Sequence, residues 1–370
     1  MNARGYFDHA ATTPLRPEAL DELVRLASLV GNPSALHRSG QLARRALEEA
    51  REELAEAVGA HPTEVIFTSG GSEADSIAVL GGWAARRAER PGCLVSAVEH
   101  PAVVGAVKRG AGILPVTAEG VVDLDAADRL IDAGTGIVSV MAVGNETGTV
   151  QPAAAVAALA AGAGAWFHTD AVQALGHIPL DFATSGAHLM SLSAHKVGGP
   201  VGVGALLCRR EVQPAPIGLG GGQERGLRSG TVPVALAASF ARAASVAVAG
   251  QAAEAVRLAG LRDRVADLCL RLGGRLNSLP GGAPHIVNVT FDGVRADDLL
   301  FLLDQAGIRA SVGSACRAGV HQPSEVLLAM GRTLDEATQS LRFSLGWTTT
   351  DDDVEALGGA LAAGLQIATG

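Results

Sequence analysis

Lysine is nearly absent from this chain of 370 residues: Lys108 and Lys196 stand against 27 arginines. Arginine serves wherever a plain surface cation is needed, so a surviving lysine suggests a task arginine cannot perform. Forming an imine is such a task. A guanidinium stays protonated at any working pH, whereas a desolvated ammonium gives up its proton. Lys196 sits in Ser191-Leu192-Ser193-Ala194-His195-Lys196-Val197-Gly198-Gly199-Pro200. There an apolar run with small hydroxyls meets a Gly-Gly-Pro turn, which reads as strand, corner and tight loop. A solvated lysine at a turn would leave the same pattern, so the stretch alone keeps both readings open. Lys108, in the helical-looking residues 103–109, reads as an ordinary surface lysine.

Other groups have the right chemistry to join it. Ser69-Gly70-Gly71-Ser72 links a short apolar strand to a helix expected over 73–87. Free N–H groups and the helix dipole at such a junction suit a phosphate. Asp170 and Gln173 follow the buried strand expected over 165–168, spaced to share a helical face. A carboxylate at the C-terminal end of a parallel strand lies where α/β sheets bind ligands, and would hold a pyridinium nitrogen protonated. A helix N-cap is the plain alternative for Asp170. His100, in Glu99-His100-Pro101, has the chemistry to stack on a ring or shuttle a proton, or is a simple loop histidine. Asn145-Glu146-Thr147-Gly148 brings amide and carboxylate groups to the same sheet edge. Arg342 is a cation in the apolar strand expected over 342–345, a place for a bidentate carboxylate partner or a structural ion pair. Cys316 lies among small residues beside Arg317, which favours its thiolate. Cys93, Cys208 and Cys269 fall in strands or a helix and read as core fillers. Taken together, a phosphate cradle, a carboxylate, a stacking histidine and a Schiff-base lysine describe a pyridoxal phosphate site.

The elements that must position these groups alternate. Strands are expected over 65–68, 93–96, 113–116, 137–142, 165–168, 189–193 and 204–208, with helices between them at 101–108, 125–132 and 153–161. Such alternation predicts a mostly parallel sheet with helices on both faces. Helices are also expected over 17–30 and 39–58, the latter with Leu42, Ala46, Leu54 and Val58 as its apolar face. One long Ala-rich helical region is expected over 232–272, after a Gly-rich loop at 218–230. Beyond it the pattern becomes α+β: strands at 286–291 and 308–311, a helix at 297–306, a loop at 312–323 and a final helix at 351–365. The expected division is a large domain over 12–251 and a smaller one from 1–11 with 252–370.

Composition narrows the class. Apolar residues make up 48% and aromatics 3%, so a large core is affordable but base-stacking nucleic-acid modules are disfavoured. A net charge of −9 argues against an unaided polyanion partner. No run is long and apolar enough for a membrane span, and the N-terminus lacks an apolar signal core, so a cytoplasmic location is expected. The four cysteines show no metal-ligand or disulfide spacing, and no metal is expected.

The chain resembles the cysteine desulfurases of the class V aminotransferase superfamily. The resemblance runs from Asp8-His9-Ala10-Ala11-Thr12-Thr13-Pro14 to Leu341–Gly346, through Phe67-Thr68-Ser69-Gly70-Gly71, Glu99-His100, Asn145-Glu146-Thr147-Gly148, Asp170-Ala171-Val172-Gln173, Ser193-Ala194-His195-Lys196, the stretch 221–231 and Gly313-Ser314-Ala315-Cys316. It implies a homodimer of the pyridoxal phosphate-dependent transferase fold type I, with a mostly parallel seven-stranded sheet and a smaller α+β domain. It implies Lys196 as the cofactor lysine and His100 stacked on the ring. Asp170 would hold the ring nitrogen and Gln173 the ring oxygen. Gly71, Ser72, Ser193 and His195 would surround the phosphate, joined by Thr231 from the other subunit. Asn145 and Arg342 would hold the substrate carboxylate.

The reaction implied converts L-cysteine to L-alanine, with sulfur carried as a persulfide on Cys316 to an acceptor protein, an Fe–S scaffold or a sulfur carrier. A selenocysteine lyase, or a cofactor-binding scaffold subunit with little turnover, would share most of these residues. Four positions depart from the family's usual pattern: Gly144, Leu219, Ser76 and Val201.

Overall fold

A computed structural model describes residues 4–313 and 322–369. Seven strands form one sheet: β1 (Val65–Thr68), β2 (Gly92–Ser96), β3 (Gly112–Leu114), β4 (Thr135–Ser139), β5 (Trp166–Asp170), β6 (Leu189–Ser193) and β7 (Gly204–Cys208). Their order is β1-β7-β6-β5-β4-β2-β3. The run from β3 to β6 is parallel, while β7 pairs antiparallel with both β6 and β1. The expected mostly parallel sheet is therefore present. Its strands are apolar on both faces because both are covered. Phe67, Val138, Met190, Leu192 and Leu207 point into one core, whereas Ile66, Ile137, Leu189 and Leu206 point into the other.

The helix Arg38–Ala57 packs its Ala43, Leu47, Ala50 and Leu54 inward. Leu42, expected on that face, is instead 50% exposed. The inward stripe passes one position further along the turn, where the smaller Ala43 lets the helix lie close. Leu54 is fully buried in the first core, so Leu54→Ala should cost about 2–5 kcal/mol of stability, read from chemical denaturation.

The region 232–272 is two helices, Val234–Ala249 and Gln251–Arg271, bent by 73°. Alanine periodicity continues across the bend, so only Gly250 marks it in the sequence. The first of the two helices packs on the large sheet's core, with Phe240 buried. The second carries Leu258, Leu261 and Val265 to another core. This other core lies under a second sheet of β8 (Arg275–Leu276), β9 (Ile286–Thr290) and β10 (Ser340–Ser344), all antiparallel. Phe7 from the N-terminal arm and Leu357 and Leu361 from the last helix, Asp351–Thr369, complete it.

Several local expectations are corrected. The helix expected from 73 begins at Gly71, and it passes through a π-helical turn at Ile77–Gly81. Residues 308–311 form isolated bridges, Tyr6 with Arg309 and Ser311 with Arg342, because they pair with the arm and β10 one residue at a time. Strand β8 and the short helices Glu325–Ala329 and Leu334–Thr338, capped by Ser324 and Thr333, went unforeseen. Among the described residues no single helix is long and apolar enough to cross a membrane.

Candidate active site

The C-terminal ends of β2, β4, β5 and β6 open onto one cavity of about 420 Å³, within the range of small-molecule sites. It is lined by Lys196, Asp170, Gln173, His100, Asn145 and Arg342, with Gly71, Ser72, Ser193 and His195 at one end. All the expected cofactor and substrate residues within the described part of one chain thus converge, except Thr231. That residue is exposed and lines a different hollow of about 720 Å³, which holds neither Lys196 nor Asp170. Cys316 lies outside the described residues.

Lys196 ends a 3-10 turn, Ala194–Lys196, directly after β6. Its Nζ donates to the carbonyls of Ala10 at 2.5 Å and Ala11 at 2.6 Å. Burial lowers its pKa to about 8. The Arg342 charge pushes in the same direction, and Asp8 and Asp170 oppose it. The nitrogen can therefore exchange its proton near neutral pH, as an imine-forming lysine requires.

Asp170 closes β5 and is 5% exposed. Its Oδ1 accepts the Val172 N–H at 2.8 Å. Burial raises its pKa, against the lowering influence of that N–H, His100 and Lys196. A buried carboxylate on the cavity wall with no ion pair among the described residues suits a protonated ring nitrogen. His100 caps the helix Pro101–Val104, with Nδ1 accepting the Ala102 N–H at 3.2 Å. That bond fixes the proton of the neutral ring on Nε2, and burial holds the ring's pKa down.

The phosphate end fits as well. A Cβ at Gly71 would lie 2.8 Å from Val172 Cγ2 and 3.4 Å from the Ser193 Cβ. Glycine lets this helix start lie close against Val172, with Ser193 at ordinary contact distance. His195 Nδ1 lies 3.2 Å from Thr12 Oγ1, and burial with the Lys196 charge takes its pKa to about 4. The residues present thus fit pyridoxal phosphate: a desolvated lysine, an unpaired buried carboxylate, a neutral histidine and a tight glycine cradle.

Arg342 reaches the cavity from β10, donating from Nη1 to Asn145 O at 2.8 Å and from Nη2 to Asp8 Oδ1 at 2.7 Å. Gln173 donates to Ala10 O at 2.8 Å, and its Oε1 lies 3.3 Å from His285 Nε2. The rings of His285 and His177 stack at 3.7 Å.

Sequence reasoning missed several members of this neighbourhood. Asp8, Ala10 and Ala11 belong to the arm, yet they hold Arg342 and Lys196. Buried Asp75 also lines the cavity, and Glu99 and His168 lie buried behind it. Glu99 Oε1 accepts from Ser96 Oγ and Met141 N, both at 2.7 Å, and burial pushes its pKa up to about 8. His168, between Ser139 and Ser191, is pulled down to about 3 by burial. Cys93, Cys208 and Cys269 are buried free thiols with raised pKa values, as core fillers should be.

The four departures fall in different settings. Leu219 and Val201 are exposed and touch none of this set. Ser76 Oγ donates back to Ser72 O. Gly144 is buried in a tight turn, where a Cβ would lie 3.2 Å from Thr147 Oγ1.

Comparison with known proteins agrees with this geometry. The model of the aminotransferase class-V family matches residues 5–357. An IscS-like cysteine desulfurase of Mycobacterium tuberculosis (strain ATCC 25618 / H37Rv) is 46% identical, over 95% of this chain and 93% of that one. A cysteine desulfurase IscS of Dictyoglomus turgidum is 39% identical, over 96% and 92%. Among solved structures, a NifS-like protein superposes with a TM-score of 0.91 at 32% identity, covering 98% of this chain and all of that one (100%). DndA from Streptomyces lividans gives 0.78 at 37%, covering 90% and 97%. The chain belongs to the aminotransferase class-V family, on its cysteine desulfurase branch.

Proposed function

We propose that this chain is a pyridoxal 5'-phosphate-dependent cysteine desulfurase. It would take sulfur from L-cysteine, leave L-alanine and hold the sulfur as a persulfide on Cys316 for an acceptor protein. The observation that carries this reading is a desolvated Lys196 sharing one cavity with Asp170, His100 and Arg342. In this reading Lys196 carries the cofactor, Asp170 faces its ring nitrogen, Gln173 its ring oxygen and His100 its ring face. Gly71, Ser72, Ser193 and His195 cradle the phosphate. A second copy supplies Thr231, which explains why that residue lies apart in the single chain. The cores on the two faces of the large sheet, separate from the one under the second sheet, support residues 12–251 as the cofactor domain and 1–11 with 252–370 as the smaller one.

When bound, the cofactor supplies an electron sink for chemistry at the amino acid's α-carbon. The protein's own residues do the rest. Arg342 and Asn145 orient the carboxylate, and Lys196 Nζ moves the α-proton. The Cys316 thiolate then attacks the substrate sulfur. An S–S bond forms as the Cβ–S bond breaks, and one proton delivered to Cβ and one returned to Cα complete alanine.

The test is Cys316→Ser in the holoenzyme, with sulfide and alanine measured from L-cysteine. Cofactor absorbance should still respond to cysteine, while turnover falls by roughly 10²-fold or more. Undiminished sulfide release would point to lyase chemistry that needs no protein thiol.

A further inference from the structure

The N-terminal arm reaches both cations of the cavity. Asp8 holds Arg342, and the carbonyls of Ala10 and Ala11 hold Lys196. The arm itself is anchored away from the cavity. Phe7 N donates to Arg309 O, Ser344 N to Phe7 O, and the Tyr6 hydroxyl to Asp8 O and Thr12 O.

The guanidinium of Arg342 is nearly used up. Nη1 donates to Asn145 O and Nη2 to Asp8 Oδ1, while Nε is buried with no partner among the described residues. A guanidinium offers a carboxylate two bidentate edges, Nε with Nη2 or Nη1 with Nη2. Both include Nη2, the nitrogen already on Asp8. The open edge is the one with the orphan Nε. Any carboxylate docked bidentate on Arg342 must therefore share a nitrogen with Asp8 and lie beside its negative charge. Asp8 keeps 24% of its side chain exposed, so it has room to yield, whereas Arg342 at 5% does not.

We propose that Asp8 is a positioning residue that presents Arg342 to the cavity and, as a resident anion on Nη2, weakens the site for carboxylates. It is a built-in competitor that sets how tightly an α-carboxylate is held. The proposal rests on the desulfurase reading only in naming the amino acid's carboxylate as the ligand. The Asp8–Arg342 pair stands on its own.

The experiment uses the holoenzyme and propionate, a carboxylate with no amino group to engage the lysine, with affinity read by calorimetry. L-Cysteine kinetics run in parallel. Asp8→Asn keeps an oxygen to accept from Nη2 but removes the charge. Propionate should bind roughly tenfold more tightly than to the wild type, since a like charge a few ångströms away is gone. Asp8→Ala removes the anchor too and should lose most of that gain. A purely structural Asp8 could only weaken binding when changed. Weaker or unchanged propionate binding by Asp8→Asn overturns the proposal. If propionate tightens but cysteine is never turned over, the proposal stands and the desulfurase reading falls.

Discussion

Lys196→Ala should remove both turnover and the visible absorbance of the lysine-bound cofactor, with alanine formation from L-cysteine falling roughly 10³-fold or more. Loss of a cation alone would not account for this, and Lys196→Arg separates the two effects. Arginine would keep the positive charge and could still donate to the carbonyls of Ala10 and Ala11. It cannot lose its proton near neutral pH, so it cannot bond covalently to a carbonyl carbon. Both variants should be equally dead. The sign of the pKa shift matters here. Burial lowers the ammonium from its usual value to about 8, so near that pH about half of the nitrogen is a free amine. An unburied lysine would be almost wholly protonated there. Absorbance and kinetics on the two purified variants check this. If either retains turnover within tenfold of wild type, Lys196 is not the covalent lysine.

Lys196 was legible because its residue type was rare and its neighbours formed a strand-to-turn pattern. Asp170 was legible because it ended an apolar strand. Ala10 and Ala11 were not, although they hold the Lys196 nitrogen. They act through main-chain carbonyls, which leave no trace in side-chain type, across 186 and 185 positions of sequence. His168 and Asp75 escaped for another reason. One lies within a strand and the other within a helix, where polar residues usually signal an exposed face. Here the strand is covered on both sides, so the polar groups pack together, with Asp75 on the cavity wall and His168 behind it. Sheet order and the second core follow from tertiary pairing, which local periodicity does not encode. The bend at Gly250 shows the same limit, since the alanine pattern is equally good on both sides of it. Leu42 marks the reverse case, where an apolar residue at a plausible helical spacing still faces outward.

The Gly-rich loop at 218–230 reads as a connection, yet Glu224 gives it a structural duty, and Glu224→Ala should destabilise the protein by about 3–5 kcal/mol. Strand β1 is an edge of the large sheet, paired only with β7. Its outward groups need partners that no strand supplies. Glu224 accepts the Phe67 N–H at 2.7 Å, and Arg51 Nη1 donates to Val65 O at 2.5 Å. The same two side chains pair with each other, at 2.7 and 3.0 Å. One ion pair thus closes two polar groups of the open edge. It is nearly buried, with side chains 11% and 3% exposed, so removing Arg51 strands the Glu224 charge, and removing Glu224 leaves Arg51 only the more exposed Glu48 at 3.3 Å. The loop bears a further cost, because Glu224 and Arg225 both adopt positive φ, 45° and 58°. Arg225 is held there by bonds to the carbonyls of Cys208 and Val212. Without the Glu224 carboxylate its own backbone keeps the Leu227 N–H to Glu224 O bond at 3.0 Å but loses its side-chain anchor. Glu224→Gln would keep an acceptor for Phe67 N–H and lose only the charge, so its loss should be smaller. Denaturant unfolding of the two variants beside Arg51→Ala and the double Ala variant checks the account. Glu224→Ala and Arg51→Ala should each be costly and strongly non-additive, since both break one network. Additive losses below about 1 kcal/mol each would mean that water serves the edge of β1 equally well.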